Sequence, residues 1–183
     1  MTPEPLPRVR RVVTAIDADG RSFIAEDGPS PAGFALPGSP FRSDNLWRTG
    51  QAPASVTAPD AIVEHRGVLP PPGGTVIRAI DFPPQTGTRE EQHALAREVF
   101  ARLYPDADHH ADSARSPGMH TTDTVDYAIV LQGEIWAVMD RDETMLRAGD
   151  VLIQRGTAHS WENRSGAMAR VVFVLVSGTR NGA

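Results

Sequence analysis

The alternation of apolar and polar positions divides the chain into short extended segments with one helical interruption. Val9 to Ile16 and Arg21 to Ala25 are β-rich runs joined by Asp17-Ala18-Asp19-Gly20, whose Asp-Gly chemistry predicts a hairpin loop at the start of the chain. Proline and glycine then recur from Gly28 to Gly50, and Pro70-Pro71-Pro72-Gly73-Gly74 makes a second break, so these stretches are expected as arms wrapping a body or as exposed loops. Thr75 to Phe82 (TVIRAIDF) reads as a strand closed by Pro83-Pro84. Thr88 followed by Glu91 is a capping box, and Leu95, Val99 and Leu103 recur at helical spacing up to Pro105, which predicts a helix over about 89–104.

Beyond a polar loop at 105–118 the texture changes. Val125–Leu131, Glu134–Met139, Thr144–Leu146, Val151–Gln154 and Arg170–Val176 are short apolar runs separated by Gly133, 140–143, Gly149 and 163–166. Even spacing with turn signals predicts an all-β antiparallel barrel or sandwich. The division expected is an N-terminal hairpin and Pro/Gly-rich arm over 1–74, packed on a barrel over 75–178 as one structural domain.

Composition narrows the chemistry. A formal net charge of -5 argues against a phosphate-backbone binder, so no nucleic acid partner is expected. With no cysteine, thiolate ligands, disulfides and cysteine nucleophiles are excluded, and any metal must rest on nitrogen or oxygen. All 18 basic residues are arginine, which leaves no amine for a Schiff base. No apolar run reaches the length of a membrane span and the first residues lack the pattern of a secretion signal, so the expected location is cytoplasmic with no membrane partner.

Of six histidines, His120 and His159 flank the strands of the barrel-like half. Asp126 opens the apolar run VDYAIVL, where a buried carboxylate is costly without a cation or hydrogen bonds to compensate it. If the polar residues 121–124 bend the chain, His120 and Asp126 face each other; on extended backbone His159, Trp161 and Asn163 share a face. Two imidazoles and a carboxylate form a workable ligand set for one divalent metal, Fe, Mn, Zn or Ni, with positions left open for substrate. The same three residues also suit a metal-free acid–base trio or a structural hydrogen-bond cluster. His109 and His110 lie in a polar setting that predicts solvent exposure. Trp161, Gln132, Trp136 and Arg155 are the candidates for a substrate pocket, Arg155 as a rim guanidinium for a carboxylate.

The order Gly118-Met119-His120, Asp126, Gly133-Glu134, then Gly149-Asp150-Val151, Gly156, His159 and Asn163 resembles the two conserved motifs of the cupin superfamily. Asp126 takes the place usually held by glutamate, Thr122 stands where the second histidine of the first motif is usual, and Gln154-Arg155 replace the prolines of the second. The resemblance implies a jelly-roll β-barrel, a mononuclear metal on His120, Asp126 and His159, and a homodimer. Function follows as an expectation. The metal would act as Lewis acid on a carbonyl or carboxylate of a small-molecule substrate, in a dehydratase, decarboxylase, isomerase or cyclase, with the general base unassigned. The alternatives are an Fe(II)-dependent dioxygenase or other oxidoreductase, and a non-catalytic ligand-binding barrel.

Overall fold

A computed structural model describes residues 3–180. The chain opens with β1 (Arg10–Ile16) and β2 (Ser22–Pro29), an antiparallel hairpin forming its own two-stranded sheet. The Asp17 carboxylate accepts the backbone N–H of Asp19 and Arg21, both at 2.9 Å, and Gly20 adopts φ 79°, which closes the loop as its Asp-Gly chemistry predicts.

Eleven further strands form two antiparallel sheets. One has the order β11-β8-β13-β5-β4-β3, made from β3 (Ala32–Ala35), β4 (Arg42–Thr49), β5 (Thr75–Phe82), β8 (Thr124–Gln132), β11 (Val151–Arg155) and β13 (Ala169–Ser177). The other has the order β10-β9-β12-β7-β6, from β6 (Asp108–His109), β7 (His120–Thr121), β9 (Glu134–Met139), β10 (Glu143–Arg147) and β12 (His159–Glu162). Alternation along β8 and β13 sends Ala128, Val130, Val171, Phe173 and Leu175 into a core shared with Ile135, Val76 and Ile80. The all-β antiparallel architecture expected from the sequence is thus the observed one.

The Pro/Gly-rich segment departs from expectation. It contributes β3 and β4 to the larger sheet, with Ser43 opposite Ile80 and Asp44 opposite Ala79. Pattern reading misses β4 because its buried positions are polar and each is bonded to a residue distant in sequence: Ser43 Oγ accepts the Tyr104 hydroxyl at 3.0 Å, and Asp44 lies 3.5 Å from the Arg8 guanidinium.

The chain passes from one sheet to the other between β8 and β9 at Gly133. Its φ is 72°, and a Cβ there would come 2.6 Å from the Met168 carbonyl oxygen, so both backbone and space require glycine. The helix α1 (Arg89–Leu103) starts on the predicted capping box: Glu91 N–H donates to Thr88 Oγ1 at 3.3 Å, and Thr88 N–H to Glu91 Oε2 at 2.6 Å. No residue of α1 is buried. The helix meets the barrel through Phe100 and through Tyr104 at its end, leaving Leu95 exposed.

Candidate functional site

His120 on β7 pairs in register with His159 on β12, and with His109 of β6 on its other side, so three imidazoles form a row across the smaller sheet. The rings of His120 and His159 lie 4.2 Å apart between centroids, tilted by 48°. Each is oriented by a carbonyl two residues upstream: His120 Nδ1–H donates to Gly118 O at 2.8 Å, and His159 Nδ1–H to Thr157 O at 3.0 Å. That tautomer leaves both Nε2 atoms as lone-pair acceptors. Burial, then the neighbouring imidazole, pushes the His120 pKa well below its ordinary value; burial pushes that of His159 down to about 4. Both rings are therefore neutral at neutral pH.

Aromatic rings surround the pair. Phe100 of α1 stacks on His109 at 4.1 Å and touches His120 at 4.9 Å; Trp161 meets His159 edge-on at 5.9 Å and Phe173 at 5.1 Å. Phe100, Trp161, Phe173 and the two imidazoles, together with Arg78, Tyr104, Thr122 and Asp126, line a cavity of about 120 Å³. A larger hollow of about 700 Å³ adjoins it, sharing Phe41, Phe82, Gly118, Ser160 and Trp161 and walled by Leu95 and Val99 of α1. A small, mostly apolar chamber with an outer vestibule is the usual form of a small-molecule site.

Asp126 lines the same cavity from the facing sheet, where strand parity turns it inward with Ala128 and Val130. It is 4% exposed and its Oδ1 has no hydrogen-bond partner among the described residues. Burial raises its pKa to about 6, against the opposing influence of Thr124 and Arg78. Thr122, in place of a second motif histidine, turns its hydroxyl to Thr124 Oγ1 at 2.9 Å.

The structure thus brings His120, His159, Asp126 and Trp161 to one cavity. It does not gather them into a ligand set: among the described residues, no three His, Asp or Glu side chains are grouped so as to hold an ion. The donors that meet are the two imidazoles, while the carboxyl stands on the opposite sheet. A pair of this kind does not fit the three-ligand site that the motif spacing predicts.

Three of the expected pocket residues lie elsewhere. Arg155 follows the outward parity of Val151 and Ile153 on β11, the inward one being taken by Gln154. Trp136 points away from the cavity because Ile135 and Ala137 occupy the inner side of β9; the Arg164 guanidinium covers its ring at 4.6 Å. Gln132 is exposed at the end of β8, where the chain leaves the sheet. Asn163 bonds instead to Phe82 O and Ala167 O, at 2.8 and 2.7 Å. His109 and His110 are half-buried rather than exposed; His109 Nε2 lies 3.0 Å from Pro117 O.

The residues that sequence reasoning missed are Arg78, Phe100 and Tyr104. Arg78 carried a readable signal, a charge inside the apolar run TVIRAI, of the same kind that singled out Asp126. The two helix aromatics carried none, since only the docking of α1 brings them to the barrel.

No protein-family model matches the chain. Similar curated proteins include phomopsin biosynthesis cluster protein C′ of Diaporthe leptostromiformis, 32% identical over 91% of this chain and 77% of the relative. The cupin-domain-containing oxidoreductases fogC of Aspergillus ruber and srdD of Neurospora crassa are 28% and 27% identical, covering 93% and 94% of this chain and 73% and 78% of their own. A solved cupin 2 conserved barrel domain protein of Salinispora arenicola CNS-205 is 14% identical, covers 75% of this chain and 76% of its own, and has a TM-score of 0.41. Motif order, antiparallel barrel and relatives matched over nine tenths of this chain agree, and the chain belongs to the cupin superfamily.

Proposed function

We propose that this chain is a small-molecule enzyme that moves a proton on an apolar or aromatic carbonyl substrate, with His120 and His159 as the acid–base pair. The observation that carries this reading is the placement of two neutral imidazoles 4.2 Å apart, their Nδ1–H groups tied to backbone and their Nε2 lone pairs left for substrate. One Nε2 takes a proton from the carbon next to the carbonyl and becomes an imidazolium, whose N–H exchanges with solvent; it then protonates the same or another substrate carbon, giving exchange or isomerisation, or protonates a departing leaving group, giving elimination. Trp161, Phe173 and Phe100 supply apolar walls that hold the substrate and keep water out.

The test is hydrogen exchange. In D₂O, the protein is expected to incorporate deuterium next to the carbonyl of members of a panel of apolar and aromatic ketones and aldehydes, read by NMR, and to lose this in His120→Gln and His159→Gln. Absence of exchange across the panel in the parent protein overturns the reading.

A second reading, a redox enzyme, is supported by the names of the Aspergillus and Neurospora relatives, which are called oxidoreductases. It keeps the same cavity. Substrate-dependent oxygen uptake during turnover would favour it over proton transfer.

A further inference from the structure

Arg78 stands in the middle of β5 and is 1% exposed. Its Nη2 donates to Val68 O at 2.9 Å and Gly67 O at 3.2 Å and lies 3.3 Å from His65 Nε2, and the Tyr104 ring lies 5.3 Å from the guanidinium carbon. Nε and Nη1 are buried without a hydrogen-bond partner among the described residues. Of the nearby acids, Asp81 holds Arg170 at 2.6 and 2.8 Å and Asp44 lies against Arg8, while Asp126 feels the Arg78 charge from the same cavity wall with no hydrogen bond or ion pair joining the two among the described residues.

A guanidinium does not shed its charge, and burying one without a hydrogen-bonded counter-charge is costly. The cost is placed in the cavity wall, on the same sheet face as Asp126, Phe173 and Leu175 and across from the two imidazoles. Around it the walls are apolar, so an incoming molecule must be apolar in body and bring its charge in one place. The cavity, about 120 Å³, is of the order of the apolar cavity of about 150 Å³ that accepts benzene, and the adjoining hollow leaves room for substituents. A single carboxylate matches one guanidinium, whereas a phosphoryl group would bring excess charge into an apolar chamber.

We propose that the cavity binds an apolar or aromatic carboxylate, its negative charge matched by the unpaired donors of Arg78. This rests on the cavity being the substrate pocket and adds the chemical class of what enters it. Asp126, whose Oδ1 lacks a donor on the same wall, favours a ligand that also carries a hydroxyl.

The experiment is calorimetric titration of the full chain at pH 7.5 with benzoate and phenylacetate, and with their neutral amides. Both carboxylates are expected to bind at least tenfold more tightly than the matched amides. Arg78→Met should bring the ratio of acid to amide affinity close to one, with Arg78→Lys intermediate. Because Arg78 also holds the Gly67 and Val68 carbonyls, the comparison of acid with amide on the parent protein stands without any variant. Equal binding of acid and amide, no binding of either acid, or a preference that survives in folded Arg78→Met would overturn the inference. Carboxylate binding without deuterium exchange in any substrate would leave the inference standing while the acid–base reading falls; exchange on neutral ketones with no carboxylate preference does the reverse.

Discussion

His120 and His159 are direct partners across the β7–β12 ladder, and each donates its Nδ1–H to the carbonyl oxygen two residues before it, so their Nε2 atoms are the two free nitrogens of one ring pair. The pair behaves as a unit because the charge of one ring opposes protonation of the other. Replacing either residue by glutamine is expected to lower turnover by about 10²–10⁴-fold. The double variant should be little worse than the single ones, since groups that act together lose their function together. Steady-state rates for the two single variants and the double variant check this; multiplicative losses would show independent roles.

Stability is expected to fall as pH drops from about 6.5 to about 4. His159 and His65 both have pKa values pushed down to about 4, chiefly by burial, and His120 is lowered as well. Across this window the unfolded chain binds protons that the folded chain does not, and each such histidine contributes a slope of about 1.4 kcal/mol per pH unit. Asp126 acts in the opposite sense. Its pKa is raised from 3.8 to about 6, so between those values the folded state holds the extra proton, and stability from this group declines as pH rises. Asp126→Asn should therefore steepen the loss of Tm on acidification, measured by thermal melts from pH 7.5 to 4. A shallower loss in that variant would contradict the assignment.

Thr88→Ala removes the side-chain half of the capping box and should cost α1 about 1 kcal/mol. Since no α1 residue is buried, the effect belongs to the helix rather than to the barrel. Amide hydrogen exchange over 89–103 should quicken several-fold while the strands of the larger sheet keep their protection. Equal loss of protection in β8 and β13 would show that the helix is integral to the barrel core.

Gly133→Ala is expected to be among the most damaging single-methyl additions. The left-handed backbone costs about 1–3 kcal/mol for a side chain, and the new Cβ would fall 2.6 Å from a carbonyl oxygen. At Gly20, also left-handed but with nothing within 4 Å of a Cβ, alanine should cost less. Chemical denaturation of the two variants side by side measures the difference.

Local pattern sufficed for much of the frame. The opening hairpin, the Thr75–Phe82 strand, the capped helix and the run of strands from β8 to β13 follow from alternation, Asp-Gly and Gly punctuation and a capping box, all of which act within a few residues. The same local rules put His159 and Trp161 on one face and marked Asp126 as a carboxylate needing company. They failed for β4, where Ser43 and Asp44 are buried by virtue of partners far along the chain. They failed again for Arg155, Trp136 and Gln132, whose orientation depends on which face of each strand meets the other sheet.

Tertiary structure alone decided the chemistry of the cavity. Motif spacing places His120, Asp126 and His159 in order, but the sheet pairing sets the two imidazoles together and leaves the carboxyl on the opposite wall. It also brings Arg78 from β5 and Phe100 and Tyr104 from α1 to the same chamber. Alternation is a property of one strand, written in its own residues; what a side chain meets across 10 Å of core depends on register and docking between segments distant in sequence.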